Sequence, residues 1–151
     1  MYTLSDSDFA GCKDTSRSTS GYMILMNGGV VAYYSERQPT VALSLPLCTA
    51  MAETIALAKL VVKIKHMRAL LFDLQCTQEQ KTMIHSTCVW VDNTAAIAVA
   101  KGNDFTHETV KHVTVKVCFI QECVQREIIM ITYIKTSKIY LFIAPSHPSR
   151  R

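Results

Sequence analysis

The fold turns on the stretch Cys88-Val89-Trp90-Val91-Asp92-Asn93-Thr94-Ala95-Ala96-Ile97-Ala98-Val99-Ala100-Lys101-Gly102. Its first four residues form an unbroken apolar run, the pattern of a strand buried on both faces. Asp92 stands at the carboxyl end of that strand. Asn93 or Thr94 can then cap a helix, because a short side-chain oxygen accepts a hydrogen bond from the free N–H groups of the first turn. The Ala-rich run continues to about Lys101, where Gly102 stops it. A buried strand that runs straight into a helix, with a carboxylate at the junction, belongs to an α/β sheet.

Upstream of this unit the period changes. Over residues 49–75, Leu57, Leu60, Val61, Ile64, Met67, Leu71 and Leu74 recur as one apolar stripe, with Lys59, Lys63, His66 and Asp73 opposite. That spacing predicts a long helix packed on a sheet. Residues 22–26 and 30–35 are apolar runs joined by Asn27-Gly28-Gly29, residues that readily supply the positive φ of a tight hairpin. The polar residues 13–20 before Gly21 read as a solvated loop. Residues 2–6 read as a short first strand that begins almost at Met1.

Downstream, a helix is expected over residues 108–125 and a continuous β-branched strand over 128–134. Residues 137–151 carry no period and finish Ser-His-Pro-Ser-Arg-Arg, so a loosely ordered tail is expected after a domain covering residues 1–136. The order is three strands, helix, strand, helices, strand, which indicates a mixed sheet covered by helices.

Composition agrees with one domain. The chain has 151 residues, 49% of them hydrophobic, enough to bury a substantial core, and no internal repeat or interdomain linker. A net charge of +4 is a mild basic bias that permits a phosphate-bearing partner. Cys12, Cys48, Cys76, Cys88, Cys118 and Cys123 are scattered without a C-x-x-C pair or a secretory signal. Reduced thiols in an intracellular protein, cytoplasmic or nuclear, are therefore expected. The most apolar stretch, residues 55–74, is broken by Lys59, Lys63, Lys65, His66 and Arg68, which speaks against a membrane span. A monomer is expected.

Three acidic residues stand where chemistry often sits: Asp6 late in the first strand, Glu53 early in the long helix and Asp92 at a strand end. Clustered carboxylates repel one another, so such a group is useful mainly with hard divalent cations, which can drive phosphodiester hydrolysis. Spacing alone fits equally a turn residue, a helix N-terminal residue and a cap. His107, Glu108 and His112 resemble a zinc site only superficially, because histidines five apart do not share a helix face. Cys118 and Cys123 have the same spacing and no partner pair. Lys101, Lys111, His112 and Lys116 could meet a phosphate backbone or form a solvated face, and Arg17, Ser18, Thr19 and Ser20 suit phosphate or 2′-hydroxyl groups as well as an ordinary loop. Trp90, Tyr22, Tyr33 and Tyr34 read as packing residues. A thiol-dependent enzyme has no motif behind it.

Several ordered segments carry a resemblance: Leu4-Ser5-Asp6-Ser7-Asp8-Phe9-Ala10-Gly11, Arg17-Ser18-Thr19-Ser20-Gly21-Tyr22, Gln38-Pro39-Thr40-Val41-Ala42-Leu43-Ser44, Val91-Asp92-Asn93-Thr94-Ala95-Ala96-Ile97-Ala98 and Val110-Lys111-His112-Val113. Over residues 2–136 the chain resembles the reverse-transcriptase-associated ribonuclease H domain of copia-type retrotransposon Pol polyproteins. The resemblance implies a ribonuclease H-like α/β fold with a five-stranded mixed sheet flanked by helices. It further implies a metal site of four carboxylates taking Mg²⁺, with Mn²⁺ as an alternative, and hydrolysis of the RNA strand of an RNA:DNA hybrid beside an adjoining reverse transcriptase domain. In this alignment Asp6 matches the first-strand aspartate, ahead of Asp8, while Glu53 matches the helix glutamate and Asp92 the aspartate ending the fourth strand. From polarity and basic charge, Arg17, Ser18, Thr19, Lys111 and His112 are taken as the candidates for nucleic-acid contact.

The departures carry equal weight. Leu45-Pro46-Leu47-Cys48 intervenes before the helix glutamate, and only the second of the family's two glutamates is kept. Thr114 and Cys118 stand where the family commonly has an aspartate and a histidine. Phe142 falls where the fourth carboxylate belongs, and no Asp or Glu occurs in residues 128–151. The expectation is a truncated or degenerate copy, either an impaired metal-dependent endoribonuclease or a folded, noncatalytic remnant that binds nucleic acid at most weakly.

Overall fold

Asn27 and Gly28 take φ values of 50° and 80°, the pair of left-handed residues that a two-residue turn between antiparallel strands requires. The turn joins β2 (Arg17–Met26) to β3 (Gly29–Val41). Met26 lies opposite Gly29, so Gly29 opens the strand and is not part of the turn. The computed structural model describes residues 1–8, 17–41, 45–74, 86–102 and 111–138.

β1 (Tyr2–Asp8) pairs antiparallel with β2 and parallel with β4 (Thr87–Val91), which in turn pairs parallel with β5 (Ile129–Tyr133). The sheet is mixed and five-stranded, in the order β3-β2-β1-β4-β5. Three helices accompany it among the described residues: α1 (Leu45–Asp73), α2 (Thr94–Ala100) and α3 (Lys111–Gln125).

The helical stripe predicted for α1 is its sheet-facing side. Leu57, Leu60, Val61 and Ile64 are at most 1% exposed and share one core with Ile24, Val89, Val91, Ile129 and Ile131. Each such side chain stabilises the fold by roughly 1.5–3 kcal/mol through burial. The stripe fades towards its end, with Met67 and Leu71 half-buried and Leu74 exposed. Arg68 marks the change: its Nη1 donates to the Ile128 carbonyl at 3.1 Å beside the starts of β4 and β5, and beyond it Leu70, Phe72 and Leu74 are exposed. On the opposite face a smaller cluster joins Leu4 and Ile134 to Met23, Leu25 and Trp90, with Tyr2 stacked on Trp90 at 5.5 Å.

α3 packs Val113 and Val117 against Val99 of α2 and sends Ile120 and Cys123 into the main core. It ends with the Ile128 N–H bonded to the Cys123 carbonyl and the Glu127 N–H to the Val124 carbonyl, both at 3.0 Å. This paired closure puts Glu127 at φ 54°, a left-handed position normally given to glycine.

Several expectations need correction. Residues 17–20, expected in a loop, extend β2: Thr19 pairs with Asp8 on one side and Arg37 on the other. Partners on both sides satisfy the backbone groups whatever the polarity of the side chains. Residues 13–16 lie outside the described residues. α1 begins four residues earlier than the apolar stripe suggested, with Pro46 in its first turn, where a missing N–H costs nothing. Residues 136–138, at the boundary of the expected tail, have helical backbone. Residues 139–151, and residues 108–110 of the helix expected before Gln125, lie outside the described residues. No helix among the described residues is long and apolar enough to cross a membrane.

Candidate metal centre

β1 and β4 run parallel, and their last paired residues are Ser5 and Val91. Asp6 and Asp92 each follow one residue later, so the register alone brings two carboxylates to the same end of neighbouring strands. Glu53 comes from about two turns inside α1. The four-residue insertion before the helix is absorbed as helix, since residues 45–48 form its first turn. Glu53 therefore still faces the strand ends, where it is 2% exposed.

One carboxylate oxygen from each of Asp6, Glu53 and Asp92 lies within 4.8 Å of the others. Asp6 is exposed, Asp92 half-buried and Glu53 buried. The Asp92 Oδ2 accepts a 2.7 Å hydrogen bond from the Thr136 hydroxyl. Immediately afterwards Asn93 turns the chain into α2, its Oδ1 accepting from the Ala95 and Ala96 N–H groups at 2.9 and 3.1 Å. A group of three hard oxygen donors carrying like charges suits Mg²⁺, Mn²⁺ or Ca²⁺ better than a thiophilic metal, and the residues present fit such an ion.

The structure thus brings together the three predicted carboxylates. The five residues named for nucleic-acid contact lie on two other elements: Arg17, Ser18 and Thr19 on β2, and Lys111 and His112 at the start of α3. Cys118 is exposed while Cys123 is buried, so their spacing makes no common site, and both are free thiols, as is Cys88. Trp90, Tyr22 and Tyr34 do pack, whereas Tyr33, read as a packing residue, is 80% exposed because it points to the uncovered side of β3. Tyr22 and Tyr34 stack at 5.1 Å, and the Lys59 Nζ donates to the Tyr34 hydroxyl at 2.8 Å and pairs with Glu36 at 2.6 Å, tying α1 to β3. Burial pushes the Tyr22 phenol above its usual pKa against the opposing pull of Lys59. Sequence reasoning missed Thr136. No local pattern marks it, since its place depends on the register of β5 against β4.

No protein-family model matches the chain. A retrovirus-related Pol polyprotein from transposon TNT 1-94 of Nicotiana tabacum is 30% identical over 133 residues, 88% of this chain and 9% of that polyprotein. Secreted RxLR effector protein 161 of Plasmopara viticola is 55% identical over 40 residues, 26% of this chain and 28% of that protein. The chain spans less than a third of either curated relative. Among solved structures, RNase H1 from the archaeon Halobacterium salinarum NRC-1 superposes with a TM-score of 0.57 at 14% identity, covering 91% of this chain and 86% of that one. LC11-RNase H1 in complex with an RNA/DNA hybrid gives a TM-score of 0.59 at 12% identity, with 91% and 86% covered. At such identities the structural likeness speaks for the fold alone, and the sequence match supplies the lineage. The chain is a homologue of a segment of a retrotransposon Pol polyprotein, and its own fold is that of ribonuclease H.

Proposed function

We propose that this domain is a divalent-cation-dependent endoribonuclease acting on the RNA strand of RNA:DNA hybrids, with Asp6, Glu53 and Asp92 as its catalytic carboxylates. The observation that carries the proposal is their convergence within 4.8 Å at the ends of β1 and β4. The substrate class is supported by the hybrid bound to LC11-RNase H1, a relative by fold. When bound, Mg²⁺ or Mn²⁺ would neutralise the carboxylates, acidify a water molecule and polarise the phosphate to be cleaved.

The chain's own residues divide the work. Glu53, held by α1 and shut off from solvent, is a fixed anchor. Asp6 is exposed and meets both solvent and the incoming backbone. Asp92 lies between them in burial, with one oxygen engaged by Thr136. Arg17, Ser18, Thr19, Lys111 and His112 are offered as contacts to the hybrid. The setting proposed is a monomer in the cytoplasm or nucleus, descended from a chain in which a reverse transcriptase domain adjoined it.

The reaction is expected to be slow. With no Asp or Glu in residues 128–151, the carboxylate that the family resemblance places after the last strand has no counterpart, and removing one preorganised electrostatic group typically costs about 10²–10³ in rate. The same absence favours a second reading, a noncatalytic remnant that keeps the fold. Cleavage of a labelled RNA:DNA hybrid in Mg²⁺ and in Mn²⁺, beside an EDTA blank and Asp92→Asn, separates the two. Slow cutting that needs both metal and Asp92 supports the enzyme, whereas no cutting by folded protein leaves the remnant.

A further inference from the structure

The sequence after β5 offers no carboxylate, yet it reaches the site. The Ile134 N–H bonds to the Val91 carbonyl at 3.0 Å, extending the β4–β5 ladder one residue beyond β5. Ile134 is 8% exposed and packs on Leu4 beside Trp90, which fixes where the chain leaves the sheet. The Lys138 N–H then bonds to the Lys135 carbonyl at 2.8 Å, closing a turn around Thr136. Three independent constraints therefore set the Thr136 hydroxyl at 2.7 Å from the Asp92 Oδ2.

We infer that Thr136 is a positioning residue for the Asp92 carboxylate, an inference that rests on the metal-site reading above. A carboxylate that receives a donor at one oxygen is held in one orientation and presents its remaining lone pairs in fixed directions. Asp92 needs this, because repulsion from Asp6 and Glu53 would otherwise swing it away from the group. The segment that in the family supplies a ligand thus supplies, in this chain, a donor that steadies another ligand.

The test titrates the purified chain with Mn²⁺, reading the free aquo ion by electron paramagnetic resonance, for wild type, Thr136→Val, Thr136→Ser, Asp92→Asn and the double variant Asp92→Asn/Thr136→Val. Loss of a hydrogen bond to a metal-ligating group typically weakens affinity by about 10–100-fold. Thr136→Val should show such a loss, Thr136→Ser should restore binding, and in the Asp92→Asn background the valine should add nothing. Near-UV circular dichroism checks that each variant is folded, and Thr136 is exposed, so the valine is compatible with the fold. Equal affinity in Thr136→Val and wild type, or a serine variant as weak as the valine one, overturns the role while leaving the metal site intact. A wild-type chain that binds no Mn²⁺ through Asp92 overturns the site and this role together.

Discussion

Glu53→Gln replaces the buried member of the carboxylate group by a neutral residue of the same shape, and its effect should change sign with the metal. Unit charges 4.8 Å apart repel by about 3.5 kcal/mol at an effective permittivity of about 20, and by about 0.9 kcal/mol at that of water. The pair with exposed Asp6 lies near the lower figure, and the pair with half-buried Asp92 lies between the two. Because solvent beside Asp6 and Asp92 screens part of this repulsion, neutralising Glu53 should stabilise the metal-free protein by about 2 kcal/mol, or about 4–8 °C in Tm for a domain of this size. Saturating Mn²⁺ should do the opposite, since a ligand at a hundred times its Kd stabilises the protein that binds it by about 2.7 kcal/mol, and the variant lacks one ligand. Thermal unfolding followed by circular dichroism at neutral pH, in EDTA and then in Mn²⁺, reads both effects. A variant that melts below wild type in EDTA would refute the reasoning, because Glu53 would then be held by stabilising contacts that outweigh repulsion from its neighbours.

Three further outcomes follow from the packing. Glu127 occupies a left-handed position at the end of α3, which costs an L residue about 1 kcal/mol, so Glu127→Gly should raise the urea midpoint by a corresponding amount without changing its slope. The thiols should react unequally: Cys118 is exposed and should be alkylated quickly, while Cys123 is buried and should be alkylated only on unfolding. Burial is the main cause that raises the Cys123 pKa above 9.0, with Glu122 adding to it and Lys65 and Arg126 opposing. The folded state therefore holds this proton more tightly than the unfolded one. Its contribution to stability is present below about pH 9 and is lost as pH rises through the folded pKa, so alkaline unfolding should come later in Cys123→Ala than the neutral-pH difference between the two proteins implies.

What was legible in the sequence was whatever a local period or a single residue type decides. The stripe from Leu57 to Ile64 gave the face of α1, Asn27-Gly28 gave the hairpin, and Asn93 and Gly102 bounded α2, each because one residue's chemistry acts within a few positions of itself. Residues 17–20 misled for the complementary reason. Their polar side chains say loop, but the pairing of Thr19 with Asp8 and Arg37 is decided by strands elsewhere in the chain. Of the site, Asp6, Glu53 and Asp92 were nameable from the resemblance, whereas their convergence rests on the Ser5–Val91 register and on the helical absorption of residues 45–48. Thr136 was invisible because nothing near it in sequence refers to Asp92.

The charge of the group bears on which functional reading survives. Three ionised carboxylates carry three negative charges, so one divalent cation leaves the described group at about −1 and a second would leave it at about +1. A fourth carboxylate would have balanced two cations in full, and Thr136, being neutral, contributes no charge towards that balance. The first ion is thus attracted by an unbalanced acidic group, while a second is attracted strongly only once a substrate phosphate has restored negative charge. Loss of the fourth carboxylate then does not abolish the site. It moves part of the metal affinity from the free protein to its complex with nucleic acid, so an active enzyme of this kind needs more metal at low substrate than at high substrate. A remnant has no such coupling, since a domain that does not engage the hybrid gains nothing from its phosphates. Mn²⁺ affinity, read without the hybrid and at two hybrid concentrations, therefore reaches the distinction more directly than the rate of cleavage, which the lost charge depresses in the enzyme and which the remnant lacks.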